Sequence, residues 1–218
     1  MTAPVRFIDA SLPPLLDGAS RDFEEESVTQ VVTGGEAECA LLAKAIAGLA
    51  PLAGGRILLL GEDPAALSRK DACALRSRTA IFHAGGGLIS NLKVVENVTL
   101  PLLYHSDEDT EAVWEKAVAS LERAGYRGNL FELPGRLTSL QRRMVGFARA
   151  LATDPEIAVY DRLADGLHAE ERDALLRTAL AFHGERPGRV TIFLSARPMP
   201  AAERDTMVTV HLTKGRFA

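Results

Sequence analysis

Residues 27–39 read Ser27-Val-Thr-Gln-Val-Val-Thr-Gly-Gly-Glu-Ala-Glu-Cys39, and this stretch decides the fold. The β-branched run to Val32 is typical of a buried strand, Gly34 and Gly35 indicate a tight turn, and a helix is predicted from about Glu38. A strand that runs through a glycine turn into a helix is the frame of a phosphate-binding loop. Taken alone the signal is weak, since two glycines before a helix are usually only a turn.

The segments on either side alternate between strand and helix patterns, which favours an α/β fold. Pro13 and Pro14 break the first strand. We expect one compact domain over 1–218, with a helical subdomain at about 94–137. Further strands are predicted at 5–9, 56–60, 79–82, 157–160, 190–194 and 207–212, and further helices at 107–123 and 139–151.

The composition excludes several classes of protein. A chain of 218 residues with 47% hydrophobic and 25% charged residues folds into a globular core, so disorder is excluded. The net charge of -4 argues against nucleic acid as a partner. Cys39 and Cys73 cannot form a disulfide framework and indicate a reducing compartment. With neither a signal core nor an apolar run near 20 residues, we expect a cytoplasmic protein that meets a membrane only peripherally.

Eight short segments follow one another in a set order between about Val5 and Gly215. They are Ile46-Ala-Gly-Leu49, Gly55-Arg-Ile-Leu58, Gly61-Glu-Asp63, Val95-Glu-Asn-Val98, Ala148-Arg-Ala-Leu151, Asp154-Pro155, Tyr160-Asp161 and Gly166-Leu167. In this order and spacing they resemble an ABC-transporter ATPase. The resemblance implies a P-loop NTPase-like core with a mixed sheet, an antiparallel N-terminal portion and the helical subdomain. Residues 81–102 look most like the ATPases of MCE-type (mammalian cell entry, Mla-like) lipid transporters.

The resemblance also shows where this chain departs from the family's phosphate loop. The family's phosphate-binding lysine is matched by Glu38 and its magnesium-binding hydroxyl by Cys39, while Pro13-Pro14 replaces a base-stacking aromatic residue. At the effective dielectric near a protein surface, two unit charges a few Å apart interact by about 4 kcal/mol. We therefore expect no nucleotide binding at the degenerate loop (Thr33, Gly34, Gly35, Glu38, Cys39), and no cofactor or metal.

The other family motifs are also altered. The signature becomes Leu137-Thr-Ser-Leu-Gln141, so that the degenerate signature residues are Thr138, Ser139, Leu140 and Gln141, with Leu140 crowding the place of a γ-phosphate. Asp161 is kept, but the general base is matched by Arg162, whose guanidinium cannot accept a proton. The remaining motif positions fall on His83, Leu163, His168 and Ser195 or Ala196. No catalytic residue is predicted.

The acidic residues at the start of the first helix suggest a structural role. A helix start exposes unpaired N–H groups and the positive end of the helix dipole. Glu36 and Glu38 lie there, and our hypothesis is that one carboxylate folds back onto the loop as an internal anion. Cys39 is interpreted as a small buried residue rather than a nucleophile.

The function predicted from these patterns is a non-enzymatic pseudo-ATPase, a scaffold or regulator in an ABC-type, MCE-type lipid transport complex. Gly86, Leu88, Ile89 and Leu92 are the predicted docking residues for a transmembrane permease subunit. A second ATPase-like subunit, of the same or a different chain, is the other expected partner, and the location is peripheral to the inner membrane through the permease. Two alternatives stay open: a residual ATP-binding or ATPase subunit, and a protein-interaction module outside transport.

Overall fold

The computed structural model describes residues 2–105, 109–199 and 207–218. The strands are β1 (Val5–Leu12), β2 (Leu16–Phe23), β3 (Val28–Val32), β4 (Gly54–Leu59), β5 (Thr79–Phe82), β6 (Ile157–Asp161), β7 (Val190–Ser195), β8 (Val208–Thr213) and β9 (Arg216–Phe217). The helices are α1 (Glu36–Ile46), α2 (Arg69–Ser77), α3 (Val94–His105), α4 (Thr110–Arg123), α5 (Ser139–Thr153) and α6 (Ala169–Gly184), with a 3₁₀ turn at Pro134–Arg136.

The N-terminal strands form a three-stranded antiparallel sheet in the order β2-β1-β4. Phe7 in the middle strand lies opposite Arg21 on one side and Ile57 on the other. Val5 and Phe7 are buried, as are Ala10 and Leu12, so the period-2 pattern shifts by one residue where the pairing with β2 is irregular. The strand runs three residues past the predicted end at Asp9 and stops before the Pro13-Pro14 turn. The antiparallel N-terminal portion is thus confirmed.

The second sheet has six strands in the order β5-β6-β7-β3-β8-β9. β3 is parallel to both β7 and β8, with Val28 opposite Thr191 and Thr29 opposite Val208. The last pair, β8 and β9, is antiparallel. This is the mixed sheet expected from the sequence. Because β3 lies between two parallel partners, the loop that follows it is placed at the carboxyl edge of the sheet.

The chain divides into two compact units, one comprising 1–81, 156–162 and 186–218 and the other 82–155 and 163–185. In the first unit, α1 contributes to one cluster of buried apolar residues, in which Leu42 and Ile46 are almost fully buried. In the second, α5 packs on α3 and α4, and the ring of Phe147 lies 6.1 Å from that of Phe182. The segment 94–137 lies within this larger unit, because α5 packs on α3 and α4, and α6 packs on α5.

Helix α4 begins at Thr110, with the side chain of Asp109 accepting from the N–H of Ala112 at 2.9 Å. The predicted start at Asp107 lies outside the described residues. Among the described helices, none is both long enough and apolar enough to cross a membrane.

Candidate functional site

The loop between β3 and α1 (residues 33–35) is fixed by its own short hydrogen bonds. The N–H of Thr33 donates to the carbonyl oxygen of Ser195 on β7 at 2.9 Å. The hydroxyl of Thr33 donates to the carbonyl oxygen of Gly35 at 3.0 Å. These contacts hold the loop at the carboxyl end of the parallel strands, where α/β folds bind ligands.

The carboxylate of Glu38 folds back onto this loop. Its Oε2 atom accepts the N–H of Gly34 at 2.7 Å. A Cβ atom on Gly34 would lie 3.0 Å from both carboxylate oxygens, so a residue without a side chain allows the approach. The hypothesis of an internal anion at the start of α1 is confirmed for Glu38.

Arg162 lies at the end of β6 and links two acidic residues. Its Nε donates to Asp161 at 3.1 Å, and its Nη1 donates to Glu36, 126 residues earlier. Partial burial alone lowers the pKa of Arg162, but the hydrogen bond to Asp161 and the charges of Asp161 and Glu36 outweigh it and raise that pKa. The guanidinium is therefore a permanent hydrogen-bond donor at this position and cannot act as a base.

The positions that would hold magnesium in the family carry an unsuitable donor set. Cys39 is fully buried, and its Sγ lies 3.1 Å from the hydroxyl oxygen of Thr33. The carboxylate of Asp161 is buried and engaged by Arg162. Magnesium prefers oxygen ligands, and a thiol beside a paired carboxylate does not fit it. Over residues 2–105, 109–199 and 207–218, no cluster of His, Cys, Asp and Glu could hold a metal.

A pocket of about 360 Å³ opens beside Gly34 and Glu38. The β1–β2 turn supplies one wall through Pro14, Leu15 and Asp17, and the β8–β9 turn supplies another through residues 212–215. Pro14 thus borders the pocket with an apolar pyrrolidine ring, where the family resemblance implies an aromatic residue. The pocket is large enough for a small ligand at the loop.

The signature residues begin helix α5 and serve as its cap. Thr138 is the N-cap, and its hydroxyl accepts the N–H of Gln141 at 3.2 Å. The side chain of Gln141 accepts the N–H of Thr138 at 2.9 Å in return. Ser139 is exposed and Leu140 half-buried. Two of the four predicted residues therefore form a capping box.

The predicted docking residues lie on a segment that is held against α5. A Cβ atom on Gly86 would meet the carbonyl oxygen of Arg142 at 2.2 Å, so Gly86 is a buried spacer rather than a contact surface. Arg149 donates to the carbonyl oxygens of Gly87 and Gly86 at 2.9 and 3.2 Å, and burial lowers its pKa. Leu88 and Leu92 are half-buried, whereas Ile89 is 40% exposed.

Asn97 on α3 holds the far end of the same segment. Its side chain accepts the N–H of Ile89 at 2.7 Å and donates to the carbonyl oxygens of Ile89 and Leu92 at 3.1 and 3.0 Å. The sequence argument missed this role. The signal was an amide on the buried face of α3, flanked by the buried side chains of Val94 and Val98.

Arg143 was also missed, because it was interpreted as part of a basic helix start. The side chain is only 6% exposed and donates to the carbonyl oxygens of Ala84 and Leu163, each at 2.8 Å, and to that of Asp165. Its spacing of four residues from Phe147 places it on the buried face of α5, and this spacing was the available signal.

The remaining motif positions have local roles. His83 is exposed, and its carbonyl oxygen accepts the N–H of Gly86 at 2.7 Å. The hydroxyl of Ser195 accepts from the side chain of Gln30 at 2.7 Å. Glu171 accepts the N–H of His168 at 3.2 Å. In the first unit, the fold brings the β3–α1 loop close to Asp161 and Arg162. In the second unit, it brings the predicted docking segment against α5.

Comparison with known proteins identifies the family of the chain. The sequence profile of the ABC transporter family matches residues 16–163, and the chain belongs to this family. Over 191 residues the chain is 29% identical to the methionine import ATP-binding protein MetN of Caulobacter vibrioides, covering 88% of this chain and 57% of MetN. Over 157 residues it is 30% identical to the cell division ATP-binding protein FtsE of Haemophilus influenzae, covering 72% of each.

The structural comparison agrees with the fold class expected from the sequence. A dimeric ATP-binding cassette, MJ0796, bound to ADP and Pi in a post-hydrolysis state, superposes with a TM-score of 0.85 and 18% identity, over 98% of this chain and 96% of that one. The ABC ATPase fold is thus confirmed. The chain spans about 57% of the length of the MetN relative, so it matches one part of that protein.

Two expectations are corrected by these relatives. The prediction that the chain is not an enzyme is wrong: the relatives are named ATP-binding proteins, and the similar cassette carries the products of hydrolysis. Glu38 and Arg162 change the charges around the loop, but the strand–turn–helix frame typical of phosphate-binding loops remains. The likeness to MCE-type lipid ATPases is also unsupported, since these relatives are named for methionine import and cell division.

Proposed function

We propose that this chain is the ATP-binding subunit of an ABC-type transport complex, working with a second cassette and a transmembrane permease at the cytoplasmic face of a membrane. Family membership and the cassette fold support the class. The names of the relatives do not agree on one cargo, so the proposal leaves the transported molecule open. The likeness of residues 81–102 to lipid-transport ATPases stays a prediction from the sequence alone.

The observation that carries the docking part is the ordered segment from Ala84 to Leu92. Arg143 and Arg149 on α5 hold its first half, and Asn97 on α3 holds its second half. A loop fixed at both ends by buried polar side chains presents its outward residues in one geometry, which suits a docking surface. Ile89 is the exposed apolar residue of this segment.

Helix α3 of the same unit also carries exposed apolar side chains. Leu100, Leu103 and Tyr104 are exposed at 44%, 52% and 73%. Buried Val94 and Val98 fix the opposite face of the helix. Exposed apolar side chains in such number are typical of a surface that meets a partner.

The test is purification of the tagged full chain from detergent-solubilised membranes of its own cell. We expect a polytopic transport permease to copurify, identified by mass spectrometry, and Ile89→Asp to reduce its yield. Leu49→Asp is the matched control, because Leu49 is 63% exposed and lies in the other unit. Equal loss in both variants, or no permease with the unaltered chain, would refute the docking proposal.

A further inference from the structure

We infer that Glu38 is a built-in gate of the β3–α1 loop: its carboxylate occupies the donor that a nucleotide phosphate would use, so nucleotide binds only after this side chain leaves Gly34. The inference deepens the proposed nucleotide-binding function and rests on it. The inhibitory contact lies within the chain itself, so no other molecule is needed to form it.

The first step is the identity of the donor. The N–H of Gly34 donates to the Glu38 carboxylate at 2.7 Å, and both residues line the pocket beside the loop. Backbone N–H groups at such a turn are the groups that bind phosphate oxygens at helix starts. A carboxylate oxygen and a phosphate oxygen compete for the same hydrogen, because each is an anionic acceptor of similar size.

The second step is the tether. Glu38 is four residues from Gly34 along the chain, so its carboxylate is always near the donor. An intramolecular group acts at an effective concentration of about the millimolar range or above. A free nucleotide must therefore compete with an anion that does not diffuse away, and it must also approach a residue of like charge.

The third step is the neighbouring cation. Arg162 is a positive group beside the start of α1, and it is engaged by Asp161 and Glu36. Its side chain is 17% exposed, while that of Glu36 is 72% exposed. The N–H of Gly34 and the guanidinium of Arg162 are thus both engaged by carboxylates of this chain, two of which are in the first turn of α1.

The pocket beside the loop leaves room for the Glu38 side chain to move away from Gly34. Glu38 is only half-buried and lines the pocket of about 360 Å³ beside the loop. A rotation of its side chain into this open space frees the N–H of Gly34 without a change in the backbone. Opening therefore requires only that the carboxylate be drawn away or neutralised.

The test compares nucleotide binding by the full chain and three variants, using calorimetry with ATP, with and without magnesium, and with inorganic pyrophosphate. We expect the unaltered chain to bind both ligands only weakly, with dissociation constants of about a millimolar, because the carboxylate must first leave Gly34. Glu38→Ala should gain at least about tenfold in affinity for both ligands. Glu38→Gln should gain less, because its amide oxygen still accepts from Gly34. Glu170→Ala, an exposed acidic residue in the first turn of α6, controls for net charge and should change nothing.

A second measurement keeps the inference testable without any ligand. Hydrogen exchange at the Gly34 amide should be slow in the unaltered chain and in Glu38→Gln, and faster in Glu38→Ala. Micromolar affinity in the unaltered chain, equal affinity in Glu38→Ala and Glu170→Ala, or no binding by any variant would each overturn the gate. The permease copurification does not involve Glu38, so failure of the gate and failure of the proposed subunit role are separate results.

Discussion

The guanidinium of Arg143 donates from Nε to the carbonyl oxygen of Ala84 at 2.8 Å, although 59 residues separate the two along the chain. The same side chain reaches the carbonyl oxygens of Leu163 and Asp165. A single buried cation therefore satisfies three backbone acceptors from two loops. Helix α5, which begins with the signature residues, is the common support of both loops.

Replacement of this side chain should be costly. Arg143→Met keeps much of the volume but leaves three carbonyl oxygens without their donor, and we expect a loss of about 2–4 kcal/mol in the free energy of unfolding. Urea denaturation measures it. Arg136→Ala is the control: this side chain is 79% exposed, and its loss should cost less than about 0.5 kcal/mol. Equal midpoints for the two variants would contradict the role assigned to Arg143.

Gly86 should not tolerate a methyl group. Its φ of +84° is in the left-handed region, and a Cβ atom would lie 2.2 Å from the carbonyl oxygen of Arg142. Gly86→Ala should therefore destabilise the fold by about 2 kcal/mol or more. Gly85→Ala is the matched control, because nothing lies within 4 Å of a Cβ atom there. Thermal denaturation compares the two variants. A melting temperature of Gly86→Ala no lower than that of Gly85→Ala would show that the backbone at Gly86 can move to accommodate a side chain.

The contact between Glu38 and Gly34 predicts that Glu38→Lys slightly lowers the stability of the chain, although the matching position in the family's phosphate loop is a lysine. Glu38→Lys removes an acidic residue from the first turn of α1, which is worth about 0.3–1 kcal/mol to a helix. Without nucleotide, the variant should melt slightly lower than the unaltered chain. Glu25→Lys, in an exposed turn, controls for the change in charge. A clearly higher melting temperature for Glu38→Lys would exclude self-capping.

The capping box at the start of α5 predicts a stability role for a signature residue. Thr138→Ala removes the hydroxyl that accepts the N–H of Gln141, and an N-cap of this kind is worth about 1 kcal/mol. Ser139→Ala, one residue further on, should change little because its side chain is exposed and is not the cap. Chemical denaturation of both variants measures the difference, and equal values would remove the capping interpretation.

The periodic parts of the fold were accessible from the sequence. β3, β6 and β7 are apolar strands whose predicted bounds differ from the observed ones by one residue. β2 was not predicted, because Leu16–Phe23 contains Gly18 and several polar residues and is held by its pairing with β1. α2 was missed for a similar reason: its nine residues bury only Ala72 and Leu75. In both cases tertiary contacts override a weak local pattern.

In the candidate site, too, contacts between residues close in sequence were predictable and long-range contacts were not. The fold-back of Glu38 was predictable, because a spacing of four residues and the charge of a helix start are local properties. The contact of Arg162 with Glu36 was not, because 126 residues separate them and only the parallel sheet brings them together. Pairings of that kind require the order of the strands, which no local pattern specifies.

The position of β3 in its sheet has a consequence for the synthesis of the protein. β3 ends at Val32, yet its two partners, β7 and β8, begin at Val190 and Val208. While the ribosome makes the intervening residues, both edges of this apolar strand are without their partners. Long-range pairing of this kind slows folding and leaves strand edges open to association with other chains. The nascent chain is therefore vulnerable to aggregation until β7 and β8 emerge, and a premature stop before Val190 would release a product that cannot complete this sheet.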